Sequence, residues 1–154
     1  MTIRGTHAVI AAVVVALALA AGAAGSSART PGALAVAEKY AELTDHWGTS
    51  WDLLAPAQQK FIPRALFVKC MSRIKSNRPK AIRITSVRAA TITVPAPTPA
   101  RVKGKLVRVH IDYGQAAPSQ DATVKAIPNG AGWSWVNAAA SRAQFVRQNF
   151  CRLG

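Results

Sequence analysis

The spacing of apolar positions changes twice along this chain. Ala8 to Ala21 is an apolar run without a charge; from Val36 to Ile74 apolar residues recur near every third or fourth position, and from Ile82 onward they alternate with polar ones. Those periods predict helices followed by half-buried strands. Val36, Tyr40, Leu43 and Trp47 stand at steps of four, three and four, which predicts one stripe of an amphipathic helix ended by Gly48, with Glu38, Lys39 and Glu42 on its other faces. Thr49 or Ser50 can cap the next segment, and Trp51 to Leu54 reads as a brief helical turn. Pro56 and Pro63 each precede a helical run, Ala57 to Ile62 and Arg64 to Ile74. Proline costs little there, because the N–H it lacks would be unpaired anyway. In the second run Phe67, Cys70, Met71 and Ile74 share one face, pointing Cys70 inward.

Ser76 to Pro79 separates the helical from the extended half. Ile82 and Ile84 open a strand expected to continue after a bend to Ile92 and Val94, and Pro95, Pro97 and Pro99 form a stiff connection. From Leu106 to Tyr113, Val107, Val109, Ile111 and Tyr113 share one face and Arg108, His110 and Asp112 the other. A strand near Ala122 to Ile127, a turn at Asn129-Gly130 and a strand from Trp133 to Val136 form a hairpin signal. The tail from Ser141 to Cys151 is expected to hold a helical turn, with Val146 and Phe150 four apart. Helices first and strands afterwards predict an α+β fold, N-terminal helices packed on a curved, mainly antiparallel sheet.

Arg4, the apolar run and the small residues through Ala28 predict a signal peptide over residues 1–28, cut after Ala23 or, preferably, after Ala28. The apolar core is short for a membrane span, which needs about 20 residues, although Gly22 to Ala24 bring it near the lower limit. The expected location is therefore secreted or extracytoplasmic, with a membrane anchor over residues 8–24 as the alternative. No cysteine precedes Cys70, which leaves a lipid anchor without an attachment point. Residues 29–33 form a short leader, and residues 34–154 have the length of a single domain with one modest core.

Charge narrows the partners. Lys and Arg number 20 against 6 Asp and Glu, a net charge of +14, and the signal segment contributes only Arg4 to it. Such a chain is attracted to polyanions. Lys60 to Arg88 holds nine cations with no acid between them. Lys69, Arg73, Lys75, Arg78, Lys80 and Arg83 are the candidate polyanion-facing residues, against the alternative of a solvated face. Arg101, Lys103, Lys105 and Arg108 form a second block. Only Phe61 and Phe67 are aromatic within the first block, too few for a single-strand stacking platform, and export also argues against nucleic acid.

Cys70 and Cys151, in a chain bound for an oxidising compartment, predict one disulfide; two separate buried thiols are the alternative. No Cys-x-x-Cys or His-x-x-x-His spacing preorganises a metal site, and no cofactor is expected.

The amphipathic segment Leu34 to Trp47, Trp51-Asp52-Leu53-Leu54 followed by Pro56-Ala57-Gln58-Gln59, Phe67 to Cys70, and the closing Gly132-Trp133-Ser134-Trp135 together resemble the nuclear transport factor 2-like superfamily, the cystatin-like α+β cone. The likeness covers about residues 33 to 151 and extends to small exported proteins of this fold from high-GC Gram-positive bacteria. The superfamily holds ketosteroid-isomerase-like and polyketide-cyclase-like enzymes, periplasmic parts of secretion and conjugation machines, and non-enzymatic binding modules. Its enzymes place a carboxylate, often with a tyrosine or histidine, inside the cone, where desolvation tunes it for proton transfer. Here the acids are Glu38, Glu42, Asp45, Asp52, Asp112 and Asp121, with no paired carboxylate motif, and no catalytic residue carries over.

Asp45 and His46 are adjacent, so on a helix they would point about 100° apart and read as solvated helix-end residues. His110 and Asp112 share a strand face opposite the apolar one. Tyr40, Trp47, Val109, Ile111, Tyr113, Trp133 and Trp135 are candidates to line a pocket, with core packing as the competing role. Neither a Gly-x-Ser-x-Gly elbow nor a complete phosphate-binding glycine pattern is present. The expectation is an exported, non-enzymatic module of the envelope or extracellular space, binding an envelope protein or apolar small molecule, with a basic face toward anionic lipid or wall polymer. The alternatives are a small isomerase- or cyclase-like enzyme using an unrecognised pocket acid, and an envelope-complex accessory protein held by an uncleaved anchor. Intact-mass measurement of the exported protein is expected to find a start near Ala24 or Arg29, and a secreted product retaining Met1 would overturn the signal assignment.

Overall fold

The computed structural model describes residues 28–149 and 151. Of the expected signal, residues 1–28, all but Ala28 lie outside them, as does Phe150. Thr30 opens the first helix, α1 (Pro31–Leu43), by accepting the Ala33 N–H at 3.1 Å. Then come α2 (Trp47–Asp52), α3 (Pro56–Gln59) and α4 (Arg64–Met71), the strands β1 (Ala81–Val94), β2 (Ala100–Asp112), β3 (Gln120–Asn129) and β4 (Gly132–Trp135), and α5 (Arg142–Gln148). The fold is α+β, with helices preceding a curved, four-stranded antiparallel sheet of order β1-β2-β3-β4.

The buried face of α1 differs from the expected stripe. Leu34, Ala35, Glu38, Ala41 and Leu43 are buried, while Tyr40 is 46% exposed. The helix stops at Leu43 because Asp45 adopts a left-handed backbone with φ of 62°. Trp47 therefore starts a new helix and cannot continue the stripe, and Gly48 lies inside α2 instead of ending α1. Gly32 lets α1 approach the sheet closely, since a Cβ there would stand 2.6 Å from Ile84 Cδ1. In α4, Phe67 and Cys70 are buried as expected, but the helix ends at Met71, so Ile74 lies beyond it and is 39% exposed.

β1 runs through the expected bend as one strand with an irregularity at Thr85, between Ile84 and Ser86. Ile82 and Ile84 oppose Ile111 and Val109 before it; Val87 opposes Val107 after it. One inserted residue reverses the facing of all that follows, so Ile92 and Val94 turn to the opposite side from Ile82 and Ile84. The sheet accordingly buries both faces in different places. Val107, Val109, Ile111, Tyr113 and Val124 pack with Leu34, Ala35, Leu43 and Leu53 on the α1 side. Ile92, Val94, Ile127 and Val136 pack with Ala55 in another cluster. Gly104 sits where β2 meets this second cluster; a Cβ there would lie 2.4 Å from the Ala126 carbonyl oxygen and 2.8 Å from Ile92 Cγ1.

The outer edge of β4 is closed by backbone from the N-terminal half. Trp133 donates its N–H to the Ala28 carbonyl at 3.0 Å, Trp135 to Leu53 at 2.9 Å, and Ala55 donates to Trp135 at 2.8 Å. Around this junction Trp47, Leu54, Ile62, Phe67 and Phe145 form a third apolar cluster that encloses Cys70 and Cys151. The two cysteines form the expected disulfide, tying α4 to the tail across 81 positions with a Cα–Cα distance of 5.1 Å. A loop of that length stabilises by about 4.5 kcal/mol in the chain-entropy model. Reduction is therefore expected to lower the free energy of unfolding by several kcal/mol in denaturant titrations; equal midpoints for oxidised and reduced protein would overturn this.

Candidate functional site

The seven aromatic and apolar candidates do not line one pocket. Val109, Ile111 and Tyr113 are buried in the cluster under α1, and Trp47 is buried beside the disulfide. Tyr40 faces solvent. Trp133 and Trp135, two residues apart on one face of β4, are only half-buried, and each borders a separate depression.

Trp133 closes a shallow groove of about 480 Å³ whose other walls include Ala89, Thr91, Lys103 and Lys105. Ladder pairing makes this arrangement: Thr91 lies opposite Lys103 and Ala89 opposite Lys105. Small residues on β1 leave room beside two lysines that β2 projects from the same face. No acid borders the groove.

Lys69 projects from α4, Arg73, Lys75, Arg78 and Lys80 from the segment leading into β1, and Arg83 from β1 itself; all are exposed. Among the described residues, Arg64 is the one cation of the Lys60 to Arg88 stretch in an ion pair, 3.3 Å from Asp52. On the sheet face that carries His110, Ser86, Arg88, Leu106, Arg108 and Thr123 border a second depression of about 340 Å³. Asp121 partly neutralises this face, lying 3.9 Å from Arg108 and 2.9 Å from His110 Nδ1. Asp112 does not join that pair and accepts the Gly114 N–H at 2.7 Å. His46 meets Thr44 Oγ1 at 2.7 Å and is exposed, as is Asp45.

The sequence pattern missed Glu38. Its position, four residues after Leu34 and three before Ala41, places it on the buried face of α1, and it is only 3% exposed. Lys39 Nζ is paired with Glu42 and stands 3.5 Å from Glu38 Oε2, an oxygen that makes no hydrogen bond among the described residues. Burial pushes the Glu38 carboxyl up to about 7, outweighing the lowering by Lys39, while Glu42 raises it further. Burial works against the Lys39 charge, but the two carboxylates prevail and raise its pKa. Glu38 borders a cleft of about 160 Å³ together with Lys39, Thr123, Lys125, Trp135 and Ala138. The available signal was the repeat Leu34, Glu38, Ala41, which puts an acid in line with core positions.

Compared with known proteins, the chain matches no protein-family model, no curated protein and no solved structure.

Glu38 links stability to pH with a definite sign. Its folded value, about 7, lies above the ordinary 4.5, so the folded state holds an extra proton between them. This contribution is complete below about 4.5 and is lost as pH rises through 7, on the order of a few kcal/mol in total. Glu38→Gln is expected to flatten the decline between pH 5 and 8 and to stabilise the protein at pH 8; parallel curves for the two proteins in chemical denaturation would refute it.

Proposed function

We propose that this chain is an exported, non-enzymatic binding module that attaches to an anionic component of the cell envelope through its basic surface. The observation that carries this reading is the contrast between a filled interior and an unneutralised exterior. Val107, Val109, Ile111 and Tyr113, which would have to line an open cone, are packed against α1, whereas Lys69, Arg73, Lys75, Arg78, Lys80 and Arg83 are exposed and none pairs with an acid among the described residues. The groove with Lys103, Lys105 and Trp133 adds a concave place for an anionic group beside an aromatic ring. The disulfide fits an oxidising compartment, and among the described residues no helix is long and apolar enough to cross a membrane.

Glu38 favours a second reading, a small enzyme of the isomerase or cyclase type, because a buried acid near neutrality suits proton transfer. Its neighbourhood fits binding better. The adjacent titratable group, Lys39, is held charged by two carboxylates and is a poor partner in proton relay. The nuclear transport factor 2-like resemblance is compatible with either reading, and the filled inner face supports the module.

Reversing charge at Arg73, Lys75 and Arg78 is expected to weaken sedimentation with anionic vesicles or teichoic-acid-type polymer by at least about tenfold. Salt should act in the same direction on the unaltered protein, because the Debye length falls from about 10 Å at 0.1 M to about 3 Å at 1 M. Salt-insensitive attachment that persists after charge reversal would reduce the basic stretch to a solvated face and sink the proposal.

A further inference from the structure

Ala28 ends the preferred signal segment, yet it is already part of the fold. Its carbonyl accepts the Trp133 N–H at 3.0 Å and forms an antiparallel bridge to β4. That carbonyl belongs to the Ala28–Arg29 peptide bond, the bond that the later of the two candidate cuts would break. A cut there discards Ala28 with the signal and leaves the Trp133 N–H without its partner on the outer edge of β4, where Leu53 and Ala55 alone would remain. The Ala28 side chain adds to this loss. It is partly buried and packs against the cluster beneath α1 that includes Leu34 and Val107. A segment discarded on export contributes nothing to the final fold, whereas Ala28 contributes a strand bridge and a core contact.

Charge at the start of α1 points the same way. Cleavage after Ala28 would make Arg29 the first residue and place a new ammonium close ahead of Pro31, where α1 begins. A helix N-terminus carries partial positive charge and disfavours a cation. The first turn of α1 has no acidic residue to offset one, and Arg29 already brings a guanidinium to the same stretch. A start at Ala24 moves the ammonium upstream along the chain and spares the helix that second charge. The earlier candidate also has what a signal peptidase reads: small residues three positions and one position before the cut, Ala21 and Ala23, at the end of the apolar run.

We infer that the export protease cuts this chain after Ala23, so that the mature protein begins at Ala24 and keeps Ala28 as the partner of Trp133. Hydrolysis adds one water across the Ala23–Ala24 amide, leaving a carboxylate on Ala23 and an ammonium on Ala24. The inference rests on the reading of the protein as exported, and it reverses the preference for Ala28 drawn from the pattern of small residues.

N-terminal sequencing of the protein secreted by cells that express the full chain tests this directly, with Ala24 as the expected start. Ala23→Leu, which puts a bulky side chain at the cut, is expected to abolish that start, and Ala28→Leu to leave it unchanged. Amide exchange measured on protein beginning at Ala24 and on protein beginning at Arg29 reads the bridge itself: Trp133 is expected to exchange at least about tenfold faster in the shorter form. A secreted chain starting at Arg29 or at any other residue past Ala24, processing blocked by Ala28→Leu, or equal Trp133 exchange in the two forms would each overturn the assignment while leaving export in place. A secreted chain starting at Met1 would overturn export and the cut with it.

Discussion

The buried amide of Gln58 sets the register between the helical and sheet halves. Its Nε2 lies 2.8, 3.0 and 3.2 Å from the carbonyl oxygens of Asn137, Ala139 and Pro95, and its Oε1 accepts the Asn137 N–H at 2.8 Å. One side chain thereby joins α3, the end of β1 and the chain leaving β4. These groups are inside the protein, where each unmade bond would cost about 1–3 kcal/mol. Gln58 holds Asn137 and Ala139 just past the last bond to β3, which runs from the Val136 N–H to the Lys125 carbonyl.

Closure of the β4 edge follows from the same junction. A free strand edge invites pairing with other chains, and here Leu53 to Ala55 and Ala28 occupy it through backbone hydrogen bonds. The disulfide then fastens α4 and the tail over the same corner. Stabilising contacts are thus concentrated at one end of the sheet, around Trp135 and Phe67. The lysines of the groove lie at this same end, Lys105 pairing with Ala126 and Ala126 with Trp135, while toward the other end the edge strand β1 leaves Ile84 and Val87 each 47% exposed.

The strands were legible because alternation is a strong signal and little overrode it. Val107, Val109, Ile111 and Tyr113 face one way as their period of two requires, whereas Ile82, Ile84, Ile92 and Val94 all stand at even positions, so their spacing did not announce that the irregularity at Thr85 turns the later pair to the other side. The helical half was less legible for two specific reasons. Asp45 takes a left-handed conformation that nothing in the pattern announced, and it divided one expected helix into two. Glu38 and Tyr40 exchanged their expected environments, since sorting charged residues outward and aromatic ones inward assigns them oppositely. The disulfide followed from cysteine count and compartment. The two depressions at Trp133 and Trp135 did not: the first needs residues from three strands and the second residues from α1, β3 and β4, all far apart in sequence.

Strand geometry relates the two depressions to one another. Trp133 and Trp135 are two residues apart on β4, so their Cα atoms lie roughly 7 Å apart and their rings leave the same face. The lysine groove and the cleft beside Glu38 are therefore neighbours that share a strand and differ in charge: Lys103 and Lys105 border the groove with no acid on its walls, whereas in the cleft Lys39 is already engaged by Glu38 and Glu42. The same closed corner of the sheet thus holds one pair of cations without an acidic partner among the described residues and, one step along β4, a cation whose charge is spent inside the fold.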